Sequence, residues 1–312
     1  MDNDNGNGNG NGKMIYGLLG RKISYSLSPV MHNAAFRHFN IPAEYRIFDV
    51  EKSDLEVFYQ DVISPTGNIK GFNVTVPYKM DFKEMIQMFS KHPEPLHEWA
   101  AVTGAVNTVK VEGDKLRGFN TDVQGFYDAI SDIPDFDPVS ARKIFIAGTG
   151  GAGRAICLFL AHMVLPSRIY VYDVVKERVE SLAEDFGRYL GHMERMSEVF
   201  SGITSAGDVP SRIVECDLVI NATPLGTKEG DRCPLPVDDI RDGAVVYDLV
   251  YARQTELVSR ARARGLRAYN GESMLSNQAA LSFNIWTDGD DDDLILTKKI
   301  MKDALMKELG RS

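Results

Sequence analysis

Cysteine is scarce in this 312-residue chain, which has three, and Cys157, Cys216 and Cys233 stand far apart. No Cys-x-x-Cys pair or cysteine/histidine grouping at metal-ligand spacing occurs. That excludes a zinc module or a disulfide scaffold, and it points to a reduced, cytoplasmic setting with no metal. No apolar run approaches the roughly 20 residues that a membrane-spanning helix needs. The opening MDNDNGNGNGNGK has no apolar segment of the kind a secretory signal requires. Its Asn/Gly repeat cannot bury enough surface to offset ordering, so a disordered tail is expected over residues 1–13. Positive charge is also in deficit: 35 Lys and Arg against 44 Asp and Glu leave a net charge of −9. Nucleic acid and anionic membranes are therefore poor partners. The acidic run Asp290 to Asp293 reads as solvated charge that favours the start of the following helical segment, rather than as a cation site.

Apolar residues are plentiful, at 44% of the chain, and the length suits two domains rather than one core. Met14 to Gly20 reads as a buried strand, and Ser28-Pro29 as a helix start with serine as cap. Strand-like and helix-like segments then alternate: AEYRIFDV, LEVFYQDVIS and IKGFNVTVPY, followed after a helical stretch by a hairpin, AVNTVKV-EGDK-LRGFN. A Pro/Asp-rich stretch, Ser131 to Pro138, precedes a second unit with strands KIFIAG, SRIYVYD, CDLVINAT, GAVVYDLVY and LRAYN. Alternation of this kind implies an α/β fold with mainly parallel sheets, the second unit being a Rossmann-like doubly wound domain. The expected division is a tail over 1–13, an N-terminal α/β substrate and catalytic domain over 14–122 and a dinucleotide domain over 123–271. C-terminal helices over 272–312 are expected to pack back on the first domain.

Gly148-Thr149-Gly150-Gly151-Ala152-Gly153 fits G-x-G-x-x-G between an expected strand and an expected helix. The first glycine permits a tight turn, the second lets the backbone approach a pyrophosphate, and the third brings helix and sheet together. Free amides at the helix start bind the anion. Asp173 ends the next strand, 20 residues after Gly153. A carboxylate there accepts from ribose hydroxyls and repels a 2′-phosphate, so NAD is the expected cofactor and NADP the alternative. Val174 and Val175 supply no cation to offset the repulsion, although Lys176 and Arg178 follow. Taken alone, Lys79 would be a surface lysine and Asp122 a helix cap.

From Met14 onward the chain resembles the shikimate dehydrogenase family and its quinate dehydrogenase relatives. The matching blocks are S-Y-S-L-S-P at Ser24 to Pro29, N-V-T-V-P-Y-K at Asn73 to Lys79, G-A-V-N-T at Gly104 to Thr108 and N-T-D at Asn120 to Asp122. The glycine-rich loop, N-A-T-P at Asn221 to Pro224, Y-D-L-V-Y and N-Q-A-A complete the series in the family's order. The resemblance implies reversible, nicotinamide-dependent reduction of 3-dehydroshikimate to shikimate, in the biosynthesis of aromatic amino acids. It implies Lys79 as proton donor and acceptor, with Asp122 paired to it. Ser26 and Ser28, with Tyr251, match the positions that bind the substrate carboxylate; Ser28 also competes as the helix cap. Asn73, Thr75, Asn107 and Gln278 match positions that bond the ring hydroxyls. Thr223, Leu249 and Gly271 match positions along the nicotinamide half of the cofactor.

Several features depart from the family's commoner pattern. Ser90 to Pro95, SKHPEP, reads as an inserted loop able to alter domain closure. Asp173-Val174-Val175 replaces the Asn-Arg-Thr-like cluster of NADP users, and Gly271 to Leu275 also differs. Serine at Ser28, rather than threonine, resembles shikimate users more than dedicated quinate users. The alternatives are a quinate or dual quinate/shikimate dehydrogenase using NAD and, from another class, a non-catalytic NAD-binding sensor. A sensor has no need of both Lys79 and Asp122, and a folate-linked dehydrogenase does not explain the serine pair. A homodimer is the base-rate expectation for the assembly.

Overall fold

The computed structural model describes residues 13–64, 67–164, 166–190 and 199–311; the expected tail, apart from Lys13, lies outside them. The first sheet contains β1 (Met14–Gly20), β2 (Ala43–Asp49), β3 (Ile69–Val74), β4 (Thr108–Glu112) and β5 (Lys115–Phe119), in the order β2-β1-β3-β4-β5. β1 pairs in parallel with both β2 and β3, whereas β3, β4 and β5 run antiparallel. β1 is an almost unbroken apolar run because helices cover both faces of the sheet there. On one face lies α1 (Ser28–His38), with Met31 and Phe36 packed beside Tyr16, Tyr45 and Trp286. On the other lie α2 (Leu55–Val62) and α3 (Lys79–Phe89), with Tyr59 and Phe82 against Phe72.

Two elements follow the expected segments but differ in detail. Ser28 does not cap α1: Leu27 occupies the cap position, no side chain caps the helix, and Ser28 is its first residue. Ser90 to Pro95 follows α3 and leads to α4 (Glu98–Thr103), and it lies against the hairpin. Ser90 bridges the carbonyl and amide of Leu116, and Pro95 O accepts from Gly118 N. The segment is thus tied to the sheet at β5.

The helix α5 (Thr121–Ser131) leads into the second sheet. Its strands are β6 (Lys143–Ala147), β7 (Arg168–Tyr172), β8 (Phe200–Ile203), β9 (Leu218–Asn221), β10 (Val245–Asp248) and β11 (Arg267–Tyr269). All pair in parallel, in the order β11-β10-β9-β6-β7-β8. β8 was not among the expected strands. Its four residues, FSGI, alternate too weakly to show a period, and their pairing with β7 defines the strand. The helices α6 (Gly151–Met163), α7 (Lys176–Leu190), α8 (Val209–Ile213) and α9 (Glu256–Ala263) connect these strands. Strand order reverses between β6 and β9, so the crevice beyond Ala147 and Asn221 is the switch point where doubly wound sheets hold ligands.

The last helices, α10 (Glu272–Thr287) and α11 (Asp291–Glu308), return to the first sheet. Trp286 Nε1 donates to Val109 O at 2.9 Å. Gly71 makes the contact possible, since a Cβ there would lie 2.4 Å from that indole nitrogen. Asp290 caps α11 by accepting from Asp293 N at 2.9 Å, which accounts for the acidic run. No described helix is long and apolar enough to cross a membrane, and no described group of His, Cys, Asp and Glu could hold a metal ion. The three cysteines are free thiols.

Candidate active site

The C-terminal ends of strands from both sheets converge on one cavity of about 210 Å³. β3 ends beside Thr75 and delivers the chain to α3, whose first residue is Lys79. β5 ends at Phe119, and Asn120 after it caps α5 by accepting from Asp122 N at 3.1 Å. Asp122 is therefore not the cap; its carboxylate is free to turn inward, at a helix N-terminus that favours negative charge. Lys79 Nζ lies 2.5 Å from Asp122 Oδ2, with the two side chains 18% and 12% exposed. Residues 43 positions apart in sequence thus form one hydrogen-bonded pair on the cavity wall.

Ser26, Ser28, Asn73, Thr75, Asn107, Tyr251 and Gln278 line the same cavity, together with Ala152, Leu249 and Gly271. Ser26 Oγ donates to Ser28 Oγ at 3.2 Å and also accepts from Ser28 N, so the two hydroxyls form a paired rim. Burial, and to a lesser degree Tyr25, raises the Tyr251 phenol above its ordinary pKa. It therefore stays protonated and can donate. Among the described residues Lys79 is the one cation that lines the cavity, so an anionic ligand would meet hydroxyls as well as charge.

The two asparagines are more occupied than their expected role implies. Asn73 Oδ1 accepts from Tyr45 OH at 2.7 Å, and its Nδ2 faces Asn107 O, Thr108 Oγ1 and Ser282 Oγ. Asn107 Nδ2 donates to Thr121 Oγ1 and to Asp122 Oδ1, both at 2.9 Å. Asn107 Oδ1 accepts from Thr121 N at 2.7 Å. Asn107 thus holds the Asp122 carboxylate from one side while Lys79 holds it from the other. Gln278 Nε2 turns back to Leu275 O at 2.9 Å, leaving its amide oxygen for the cavity. The apolar lining of Leu18, Val74, Met274 and Leu275 was not legible in sequence, where such residues are indistinguishable from core.

The glycine loop adjoins this cavity through Ala152. Gly148 has φ +92°, and a Cβ there would lie 2.8 Å from Ala222 and Thr223 backbone atoms. Gly150 and Gly151 face open space, so nothing of the protein obstructs approach to the start of α6. A Cβ on Gly153 would come within 2.0 Å of Gly148 O. Turn, approach and helix contact are therefore divided among these glycines as phosphate binding requires.

Asp173, 7% exposed, ties the loop to β7: its Oδ2 accepts from Thr149 N and Oγ1, each at 2.8 Å, and its Oδ1 from Val175 N at 2.9 Å. Burial works to raise its pKa, but these donors outweigh burial and hold the group below the usual carboxylate value. Thr223 is turned into its own loop, its hydroxyl donating to Asn221 Oδ1 at 2.7 Å. Asn221 donates in turn to the buried Asp248, which Thr255 also bonds at 2.6 Å. Gly271 passes so close to Leu249 that a Cβ would lie 2.2 Å from its carbonyl oxygen.

Known proteins resemble this chain over most of its length. A family model described as the shikimate dehydrogenase substrate binding domain matches residues 18–109. A shikimate dehydrogenase (NADP(+)) from Caldanaerobacter subterraneus subsp. tengcongensis is 34% identical over 275 residues, 88% of this chain and 91% of its own. The crystal structure of a shikimate dehydrogenase in complex with NADP+ superposes with a TM-score of 0.80 at 29% identity, covering 95% of this chain and 96% of that one. Quinate dehydrogenase from Corynebacterium glutamicum in complex with NAD gives a TM-score of 0.80 at 26% identity, covering 95% of this chain and 99% of that one.

Proposed function

The chain belongs to the shikimate dehydrogenase family, and from that premise we infer the division of labour in the cavity. The reaction is the reversible reduction of 3-dehydroshikimate to shikimate with a nicotinamide dinucleotide. The carrying observation is the Lys79–Asp122 pair, which stands between a hydroxyl-lined pocket and the glycine loop. When bound, the nicotinamide supplies the hydride to the ketone or takes it back from the alcohol. Lys79 Nζ gives a proton to the ketone oxygen as negative charge develops there, and recovers it in the reverse direction. Asp122 orients the ammonium through Oδ2 and stays fixed by Asn107 at Oδ1. Ser26, Ser28 and Tyr251 receive the substrate carboxylate as hydroxyl donors. Thr75, the remaining lone pair of Asn73 Oδ1 and the amide oxygen of Gln278 meet the ring hydroxyls. An acid lacking those hydroxyls would leave the polar wall unpaired.

The amides at the start of α6 and the open faces of Gly150 and Gly151 would hold the pyrophosphate. NAD is the preferred cofactor in this reading. The ionised Asp173 repels a 2′-phosphate, and Val174, 72% exposed, carries no charge, so Arg178 is the cation that acts on this carboxylate. Lys176 is paired with Glu180 at 3.1 Å, which weakens its claim as a phosphate partner.

The test is steady-state turnover, followed by nicotinamide absorbance, with shikimate and quinate against NAD and NADP. The expected order of kcat/KM is shikimate above quinate and NAD above NADP. A quinate preference would move the chain to the second reading, which the likeness to the NAD-bound quinate dehydrogenase keeps in view. Lys79→Ala is expected to lower kcat by roughly 10²- to 10⁴-fold while shikimate still binds. Unchanged turnover would remove the proton-transfer scheme.

A further inference from the structure

Behind the cavity wall lies a sealed cluster of hydroxyl and amide groups through which α10 reaches the Lys79–Asp122 pair. We propose that Ser282 is a positioning residue for that pair, an inference that rests on the dehydrogenase reading above. Ser282 sits one helical turn beyond Gln278 and is fully buried. Its Oγ lies 2.9 Å from Asn73 Nδ2, 2.8 Å from Thr108 Oγ1, 3.1 Å from Thr121 Oγ1 and 2.9 Å from Gln278 O. It does not line the cavity, so it acts only through others.

Counting donors and acceptors shows how. Asn107 Oδ1 has two lone pairs, filled by Thr121 N at 2.7 Å and Thr108 Oγ1 at 3.0 Å. Thr121 Oγ1 already accepts from Asn107 Nδ2, and its own hydrogen needs an acceptor. Ser282 Oγ is that acceptor; it also takes one hydrogen from Asn73 Nδ2 and donates its own to Gln278 O. The second hydrogen of Asn107 Nδ2 is then left pointing at Asp122 Oδ1.

The frame that presents Ser282 is rigid. A Cβ on Gly125 of α5 would lie 2.7 Å from Gln278 N, so the α5 and α10 backbones are in direct contact. Without the serine hydroxyl, the Thr121 hydrogen has Asn107 Oδ1 and Thr108 Oγ1, each at 3.3 Å, to turn to. One of these atoms belongs to the Asn107 amide and the other donates to it, so serving that hydrogen disturbs the amide that holds Asp122. The pair loosens, whereas Asn73 keeps Asn107 O and Thr108 Oγ1 for its two amide hydrogens and so holds its place facing the substrate.

The experiment measures kcat and KM for shikimate in Ser282→Ala, in Lys79→Ala and in the double variant, at high enzyme concentration where turnover is slow. Ser282→Ala is expected to lower kcat about 10-fold with KM within about 2-fold, and to cause no further loss once Lys79 is absent. An unchanged kcat, or the same 10-fold loss in the Lys79→Ala background, would overturn the proposal, because a general packing defect acts with or without the lysine. If Ser282→Ala does not fold, Ser282→Cys fills similar space, accepts hydrogen bonds weakly and carries the same two outcomes. Full turnover by Lys79→Ala alone overturns the reading of the site and this proposal with it. Normal turnover by Ser282→Ala beside a crippled Lys79→Ala overturns the proposal alone.

Discussion

His32 lies one helical turn after Ser28, fully buried, with its ring stacked on Tyr45 at 4.2 Å and 3°. Among the described residues neither ring nitrogen has a hydrogen-bond partner, and burial lowers the pKa from 6.5 to about 3. The unfolded chain therefore binds a proton below pH 6.5 that the folded chain refuses until about pH 3. Stability should fall as the pH drops through that window, by up to about 1.4 kcal/mol per unit from this group. His32→Phe keeps the stacked ring and removes the titration. Urea unfolding at pH 7.5 and 5.5 should show a loss smaller by about 1.4 kcal/mol in the variant. An equal loss in both proteins would mean that His32 is not the group responsible. Val174 bears on function at the same scale: a guanidinium there would stand beside the adenosine ribose. Val174→Arg should raise the NADP-to-NAD ratio of kcat/KM by about 10-fold or more, since a charged hydrogen bond contributes roughly 1.5–3 kcal/mol. A ratio unmoved by the arginine would place the 2′-phosphate elsewhere.

Among elements, the junction of β6 and α6 was the most legible in sequence. Glycine is demanded there by backbone geometry, and backbone demands leave a local signature. Gly153→Ala puts a methyl on Gly148 O and against Ala222 Cβ, and Gly151→Ala puts one in open space. The first should destabilise the fold by about 1–3 kcal/mol and also weaken cofactor binding. The second should leave the melting temperature nearly unchanged while cofactor affinity falls. Thermal melts alongside cofactor titrations separate the two, and a stable, tightly binding Gly153→Ala would refute the close packing. Other elements were less legible. Ser28-Pro29 looked like a capped start, but helix α1 begins one residue earlier than a serine cap would allow, and the serine pairs with Ser26 instead. β8 has no signature of its own in the sequence, because its partner β7, not its composition, makes it a strand.

For the whole molecule, two sheets aim the C-terminal ends of their strands at one cavity, and that convergence makes a site from scattered residues. The sequence alone determined the α/β alternation, the dinucleotide loop and the family, since each rests on local order along the chain. It also marked Lys79 and Asp122, but only as residues in recognisable blocks. The tertiary structure alone decided that they touch, that Asn107 faces inward to hold Asp122 and that Ser282 lies behind them against Thr121. Hydrogen bonds among buried side chains depend on which elements pack together, and residues up to 209 positions apart meet here. Spacing in sequence carries no trace of such meetings, because they form only when α10 folds back onto the first sheet.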